Sequence, residues 1–447
     1  MPGSPPEHGT VEVYGAEPPG SPLPPAPCTG IKGERHPPIM NVRRCAAVLA
    51  AVAVIGAATP AAADSSPSPE PSKALPAALY GDGDPQYDGV WRQSLALLAQ
   101  DTAGVKPPKA AVDWLTGQQC ADGSFAPYRA DTSRACDAKT PVDTNQTAAA
   151  VQALAALGGH HKATGKAVDW LKSIQNEDGG WGYTAGGPSD ANSTSVVIGA
   201  LAATGEKPAQ VTKDGKSPYD ALLKLALPCK GDGAGAFAFQ PDKKGKLIAN
   251  ADATAAGVLG LLGKGLVVEP AKTGTPELAC EKAGGPGQAA VNGGAYLKDE
   301  LAEDGHLVSS LGGSEQPDHG NTADAVVALA ALGAMEPAKK SLAWLEKNAA
   351  GWAAQSGPAA YAQLILAAHA TGADPRAFGG TDLVKKLAAT GPAAEKENEK
   401  EKQKAAASDA ESDSDSGFGV WWYVGVCLVA GIGIGFLFSG RRKRQQP

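Results

Sequence analysis

The chain has 447 residues, enough for two or three domains, and 43% of them are apolar while only 5% are aromatic. Its formal net charge is −7, and no basic stripe runs along it, which argues against nucleic acid as a partner. Gly and Pro are abundant, at 56 and 35 residues, so segments rich in them must first be separated from segments that fold.

Residues 1–39 are rich in Pro and Gly and are read as an upstream start-codon miscall. Met40, Arg43 and Arg44 then open a basic segment, an apolar run follows from Cys45 to Ala58, and Ala61–Ala63 precede Asp64. That order predicts a secretory signal peptide over 40–63 and a linker over 64–84.

The next three hundred or so residues, 85–391, show an internal repeat. A Thr lies eleven positions before a Gly at Thr147/Gly158, Thr194/Gly205, Thr254/Gly265 and Thr322/Gly333. Each interval is mostly Ala, Val, Leu and Gly, the composition of a helix buried on every side, and Gly is the usual C-terminal stop. Weaker copies run from Gln93 to Gly104 and from Tyr361 to Gly372. Between them lie amphipathic segments. In "KAVDWLKSIQ", Ala167, Trp170, Leu171 and Ile174 fall at i, i+3, i+4 and i+7. No segment shows a run of strand alternation. The predicted class is all-α, an α/α toroid of about six inner and six outer helices, with the N-terminal ends of the inner helices gathered at one mouth.

Beyond the repeat, residues 392–417 are charged and nearly free of large apolar side chains, so they read as a disordered spacer. Phe418–Phe438 is long and apolar enough for one C-terminal transmembrane helix, placed over 418–439. Trp421, Trp422 and Tyr423 suit an interfacial belt, and Arg441–Arg444 in the tail 440–447 suit the cytoplasmic side. The expected localisation is the cell membrane, single-pass, with the ectodomain outside. Leu387–Gly391 resembles the sorting signal of cell-wall transpeptidases, although the same five letters recur at Leu201–Gly205.

Seven cysteines are present, and four fall in the expected exported domain: Cys120, Cys136, Cys229 and Cys280. An even number in an oxidising compartment implies two disulfides, with three possible pairings. Cys120–Cys136 and Cys229–Cys280 are favoured, because each pair brackets one irregular segment.

The amphipathic helices end in a second signature. Gln175, Gly179 and Trp181 fit Q-x-x-x-G-x-W, and Gln119, Gly123 and Phe125 fit it with Phe for Trp. Weaker echoes precede Phe237 and Leu307. These motifs, in register with the inner helices, resemble the repeat of the squalene–hopene cyclase and protein prenyltransferase superfamily over roughly residues 85–390. The resemblance implies a structural role for Gln119, Phe125, Gln175, Gly179 and Trp181, tying each outer helix to its neighbour.

In the cyclases of that superfamily, D-x-D-D-T-A opens an inner helix and its middle Asp protonates the substrate. Here the copies begin at Asp143, Asp190, Asn250 and Asp318, and the acid position holds Asn145, Asn192, Asp252 and Gly320. An amide is no general acid, so Asp252 is the one weak catalytic candidate. The four strong inner copies contain no aromatic residue to steady a carbocation. The zinc set of the prenyltransferases is not intact either, and no metal or cofactor is assigned. The reading therefore leans away from an enzyme.

It also looks like the cobalamin carriers intrinsic factor and transcobalamin, which are secreted, disulfide-bonded toroids, though their second domain is not visible here. The expected function is a surface-tethered toroid binding a small molecule, with a corrinoid as one candidate, or a protein partner. Asp143, Asn145, Asp190, Asn192, Asn250, Asp252, Asp318 and His319 are the candidate binding residues, since amides and carboxylates above a concave site suit a polar ligand. Asp, Asn, Ser and Thr are also the preferred helix N-caps, so the same clusters serve either purpose. The alternative is a prenyltransferase-like, terpene-cyclase-like or polysaccharide-acting enzyme using these carboxylates.

Overall fold

The computed structural model describes residues 75–271, 277–309 and 314–393, all in the compact unit Ser72–Pro447. The expected start miscall, signal peptide, transmembrane helix and basic tail, and the spacer beyond residue 393, lie outside the described residues. Among the described residues, no helix is long and apolar enough to cross a membrane.

Six helices are the expected inner ones: α1 (Gly89–Thr102), α3 (Thr144–Leu157), α5 (Ala191–Ala203), α7 (Ala251–Leu261), α9 (His319–Ala331) and α12 (Pro358–Thr371). Each packs on the next, and α12 packs back on α1, so the ring is closed. Small side chains make that approach possible, and Ala149, Val151, Leu154, Val197, Ile198 and Val326 are fully buried. Outside them lie α2 (Lys109–Gly117), α4 (His161–Ser173), α6 (Pro218–Leu225), α8 (Pro286–Glu300), α10 (Met335–Asn348) and α13 (Leu383–Ala388). The outer helix α4 touches both α3 and α5, and α6 and α10 likewise each touch two inner helices. The all-α toroid with six inner and six outer helices is therefore the observed architecture of this part of the chain.

Three details differ from the sequence reading. A short helix, α11 (Ala350–Ser356), is added between α10 and α12. A small antiparallel hairpin joins β1 (Leu307–Ser309) to β2 (Gln316–Asp318), with Leu307 opposite Asp318. Strands of three residues are too short to show a period of two. Finally, α7 stops at Leu261, and the left-handed turn falls on Gly263 rather than Gly265. Gly265 instead lies against the backbone of Gly199 and the side chain of Gln152.

The repeat signature has a direct structural cause. Gln119 Nε2 donates to the carbonyls of Gly123 and Ala163, at 3.0 and 2.8 Å. Gln175 Nε2 does the same to Gly179 and Val211, at 2.7 and 3.1 Å. Each Gln thus closes its own loop and reaches the segment of the next outer helix. Gly123 and Gly179 have φ of 101° and 92°, and a Cβ there would lie 2.2 Å from the Lys166 oxygen and 2.3 Å from the Ser217 oxygen. Phe125 and Trp181 are fully buried, and Trp181 Nε1 donates to the Leu171 carbonyl at 2.7 Å.

The repeated Thr completes the tie. The backbone N–H groups of Phe125, Trp181, Phe237 and Leu307 donate to the hydroxyls of Thr147, Thr194, Thr254 and Thr322, at 3.0, 3.0, 2.9 and 3.0 Å. The hydroxyls of Thr147 and Thr254 in turn donate to the backbone carbonyls of Asp143 and Asn250. A buried donor without a partner costs about 1–3 kcal/mol, so Thr at this place joins four of the outer loops to inner helices.

Both favoured disulfides are present, Cys120–Cys136 and Cys229–Cys280, spanning 16 and 51 residues. Loop-closure entropy in the unfolded chain makes them worth roughly 3 and 4 kcal/mol. The folded part begins before residue 85, because Leu79 and Tyr80 are buried. Tyr80 accepts from Gln100 Nε2 at 2.8 Å, and Gly81 N–H donates to the Thr390 carbonyl at 2.7 Å. Leu387–Gly391, the sorting-like segment, is folded against this start, with Leu387 fully buried.

Candidate functional site: the central cavity

Each inner helix has to begin somewhere, and its first N–H groups need acceptors. Asp143 Oδ1 accepts from Gln146 N–H at 2.7 Å, Asp190 from Ser193 at 2.7 Å, Asn250 from Ala253 at 2.7 Å and Asp318 from Asn321 at 3.0 Å. These four candidates are N-caps, and none of them lines the cavity described next. Burial pushes the Asp143 carboxyl up to about 6, against the lowering effect of the Gln146 N–H and the Tyr183 hydroxyl. Burial also raises Asp190. His319 sits apart, its ring 5.1 Å from Trp344 and 5.6 Å from Trp352, and burial lowers its pKa.

The residues that do converge lie further along the helices. A cavity of about 210 Å³ at the centre of the ring takes Trp91 from α1, Asn145 from α3, Asn192 from α5, Asp252 from α7, Asp324 from α9 and Gln363 from α12. All six come from the first two turns of their helices. Of the eight candidate binding residues, Asn145, Asn192 and Asp252 are therefore brought together. They are the residues at the acid position of the repeat. The walls below them are apolar, including Leu95, Leu259, Val327 and Leu366.

Asn192 Nδ2 donates to Asp252 Oδ2 at 2.7 Å. Gln363 Nε2 lies 3.4 and 3.3 Å from the two oxygens of Asp324. Burial pushes the Asp324 carboxyl up to about 7, and the negative charge of Asp252 adds to the shift. Burial raises Asp252 as well, Asn192 opposes that, and the charge of Asp318 adds to it. The cavity thus joins two carboxyl groups whose pKa values are both raised by burial. Asp252 does not stand alone, as its copy of the motif suggests.

Trp91, Asp324 and Gln363 are not among the sequence candidates. Trp91 stands just before the degenerate first copy, which begins at Gln93. Asp324 carried a signal, since it is an acid inside an otherwise apolar helix. Gln363 carried a weaker one of the same kind, in α12. Among the described residues, no three or more His, Cys, Asp or Glu side chains gather as a metal site.

Residues 144–215 match the model of the squalene–hopene cyclase C-terminal domain. A squalene–hopene cyclase of Zymomonas mobilis is 33% identical over 146 residues, which cover 30% of this chain and 21% of that protein. The aligned part thus spans about a fifth of that relative's length. Among solved structures, ent-copalyl diphosphate synthase from Streptomyces platensis aligns with a TM-score of 0.43 at 17% identity, covering 64% of this chain and 50% of that one. A protein from Actinoplanes aligns at 0.30 and 14% identity, covering 63% and 99%. The family match falls on two of the repeats, and with the curated relative it supports the prenyltransferase and squalene–hopene cyclase repeat superfamily for this part of the chain.

Proposed function

We propose that this chain is an exported, membrane-tethered α/α toroid that retains a compact polar small molecule in its central cavity without turning it over. One observation carries the reading. Asn145 Oδ1, Asn192 Oδ1 and Ser195 Oγ are cut off from solvent and have no hydrogen-bond partner within the protein, and all three residues line the same cavity. Buried polar groups are nearly always satisfied, so this set calls for a ligand or for water. Export is supported by the signal-like segment 40–63 and by the two disulfides. Tethering is supported by the apolar segment 418–438 and its basic tail.

Size limits the ligand. The cavity of about 210 Å³ is below the roughly 300–1,000 Å³ of drug-sized sites. Trp91 is the aromatic residue among those that line it. The test is a native mass spectrum of the chain isolated from its own host. A reproducible extra mass, lost on mild denaturation, is the expected result. A bare mass in every preparation sinks the reading.

A second reading rests on Asp252 at the acid position and on Asp324, whose carboxyl titrates near 7. Such a pair suits general acid catalysis. It would be favoured by turnover of an isoprenoid that is lost in both Asp252→Asn and Asp324→Asn.

A further inference from the structure

The retention proposed above leaves the ligand's chemistry open, and the hydrogen-bond inventory of the cavity narrows it. Several of its amide donors already have acceptors within the protein. The Asn192 amide donates to Asp252 Oδ2, and Asn192 Oδ1 is the atom left over. The Gln363 amide is shared between the oxygens of Asp324. Gln152 Nε2 donates to the Val196 carbonyl at 3.0 Å, and its Oε1 accepts from Leu266 N–H at 2.8 Å. The lining side-chain atoms cut off from solvent and unmatched are two amide acceptors, Asn145 Oδ1 and Asn192 Oδ1, and the Ser195 hydroxyl, which can accept or donate. Ser195 is only 5% exposed.

Charge points the same way. Two carboxyl groups line the cavity, and Lys264, the one basic residue on its wall, is exposed. A buried carboxylate without a counter-charge is costly. Trp91 adds an aromatic ring, which attracts cations across its face. Most of the remaining wall is aliphatic, which a fully hydrated metal ion does not match.

On these grounds, and resting on the retention reading above, we propose that the central cavity binds a compact primary ammonium ion with a short apolar body. The three N–H groups of the ammonium would be shared among Asp252 and the unmatched oxygens of Asn145, Asn192 and Ser195, and its carbon chain would lie along Leu95, Leu259 and Val327. A cavity of about 210 Å³ is small beside the roughly 300–1,000 Å³ of drug-sized sites, which suits a short-chain ligand.

The experiment is titration calorimetry on the purified full chain with three probes of one shape: n-pentylammonium, 1-pentanol and pentanoate. Calcium chloride alone is the inorganic control. Binding of pentylammonium at least tenfold tighter than the alcohol, with no heat from pentanoate, is expected. Asp252→Asn should weaken it at least tenfold, and Ser195→Ala by a few fold. Where Asp252→Asn does not fold, Asp324→Asn replaces it, with loss in the same direction expected. Equal binding of 1-pentanol, preference for pentanoate, or an equal response to calcium overturns the cation proposal and leaves small-molecule retention standing. Silence from all four probes overturns the cation proposal too, and the native mass spectrum then decides retention separately.

Discussion

The side-chain amide of Asn192 donates to the carboxylate of Asp252 at 2.7 Å, across 60 residues of sequence and between neighbouring inner helices. Both residues stand at the acid position of their copies of the repeat. Where a cyclase repeat puts acids, this chain pairs one acid with an amide.

A double-mutant cycle on Asn192→Ala and Asp252→Ala measures that pair. Hydrogen bonds to charged groups are worth about 1.5–3 kcal/mol, so a coupling energy in that range is expected from denaturant unfolding. A coupling below about 0.5 kcal/mol, the error of additivity for independent sites, would mean that the contact does not hold the cavity together.

Thr194 joins the inner ring to the outer loops through the Trp181 N–H at 3.0 Å. Thr194→Val keeps shape and removes the acceptor. The stranded N–H should cost about 1–3 kcal/mol, and Thr194→Ser should recover most of it. Equal stability of the Val variant and the parent would refute the linking role.

At Gly179 the backbone has φ of 92°, and a Cβ would lie 2.3 Å from the Ser217 oxygen. Gly179→Ala should lose about 1–3 kcal/mol from the backbone conformation, and more from the displaced segment before α6. Gly186 has φ of 76° and nothing within 4 Å of a Cβ, so Gly186→Ala reports the conformational cost by itself. Equal losses at the two positions would show that the close approach at Gly179 relaxes freely.

Stability should also depend on pH through the cavity. The Asp324 carboxyl is raised to about 7 in the folded chain, against about 3.9 when unfolded. Between those values the folded state holds a proton that the unfolded chain has released. The contribution is therefore fully present below about pH 4 and is lost as pH rises through 7. Asp143, raised to about 6, acts in the same sense over a lower window. Asp324→Asn keeps an acceptor for Gln363 and has no proton to lose. It should be more stable than the parent above pH 7, by at most a few kcal/mol, and the gap should close toward pH 4. Parallel stability curves from pH 4 to 8 would rule out a buried, titrating Asp324.

The helices were legible in the sequence because helix formation is governed by near neighbours. The Ala-rich runs after Thr147, Thr194, Thr254 and Thr322, and the stripe at Ala167, Trp170, Leu171 and Ile174, state which helices are buried and which are half-buried. Asp143, Asp190, Asn250 and Asp318 are caps for the same local reason, since a cap bonds an N–H three residues on. The signature Gln119–Phe125 and Gln175–Trp181 was readable because it recurs. The cavity was decided by tertiary structure. Trp91 and Gln363 meet only because α12 closes the ring on α1, and Asp324 acquires its partners from α7 and α12. Gly265, which reads as a helix stop, became part of the cavity wall once α7 ended early. Local rules say where a helix begins and which face is apolar. Which side chains share one enclosed space depends on how the ring closes, and that is set by packing between residues hundreds of positions apart.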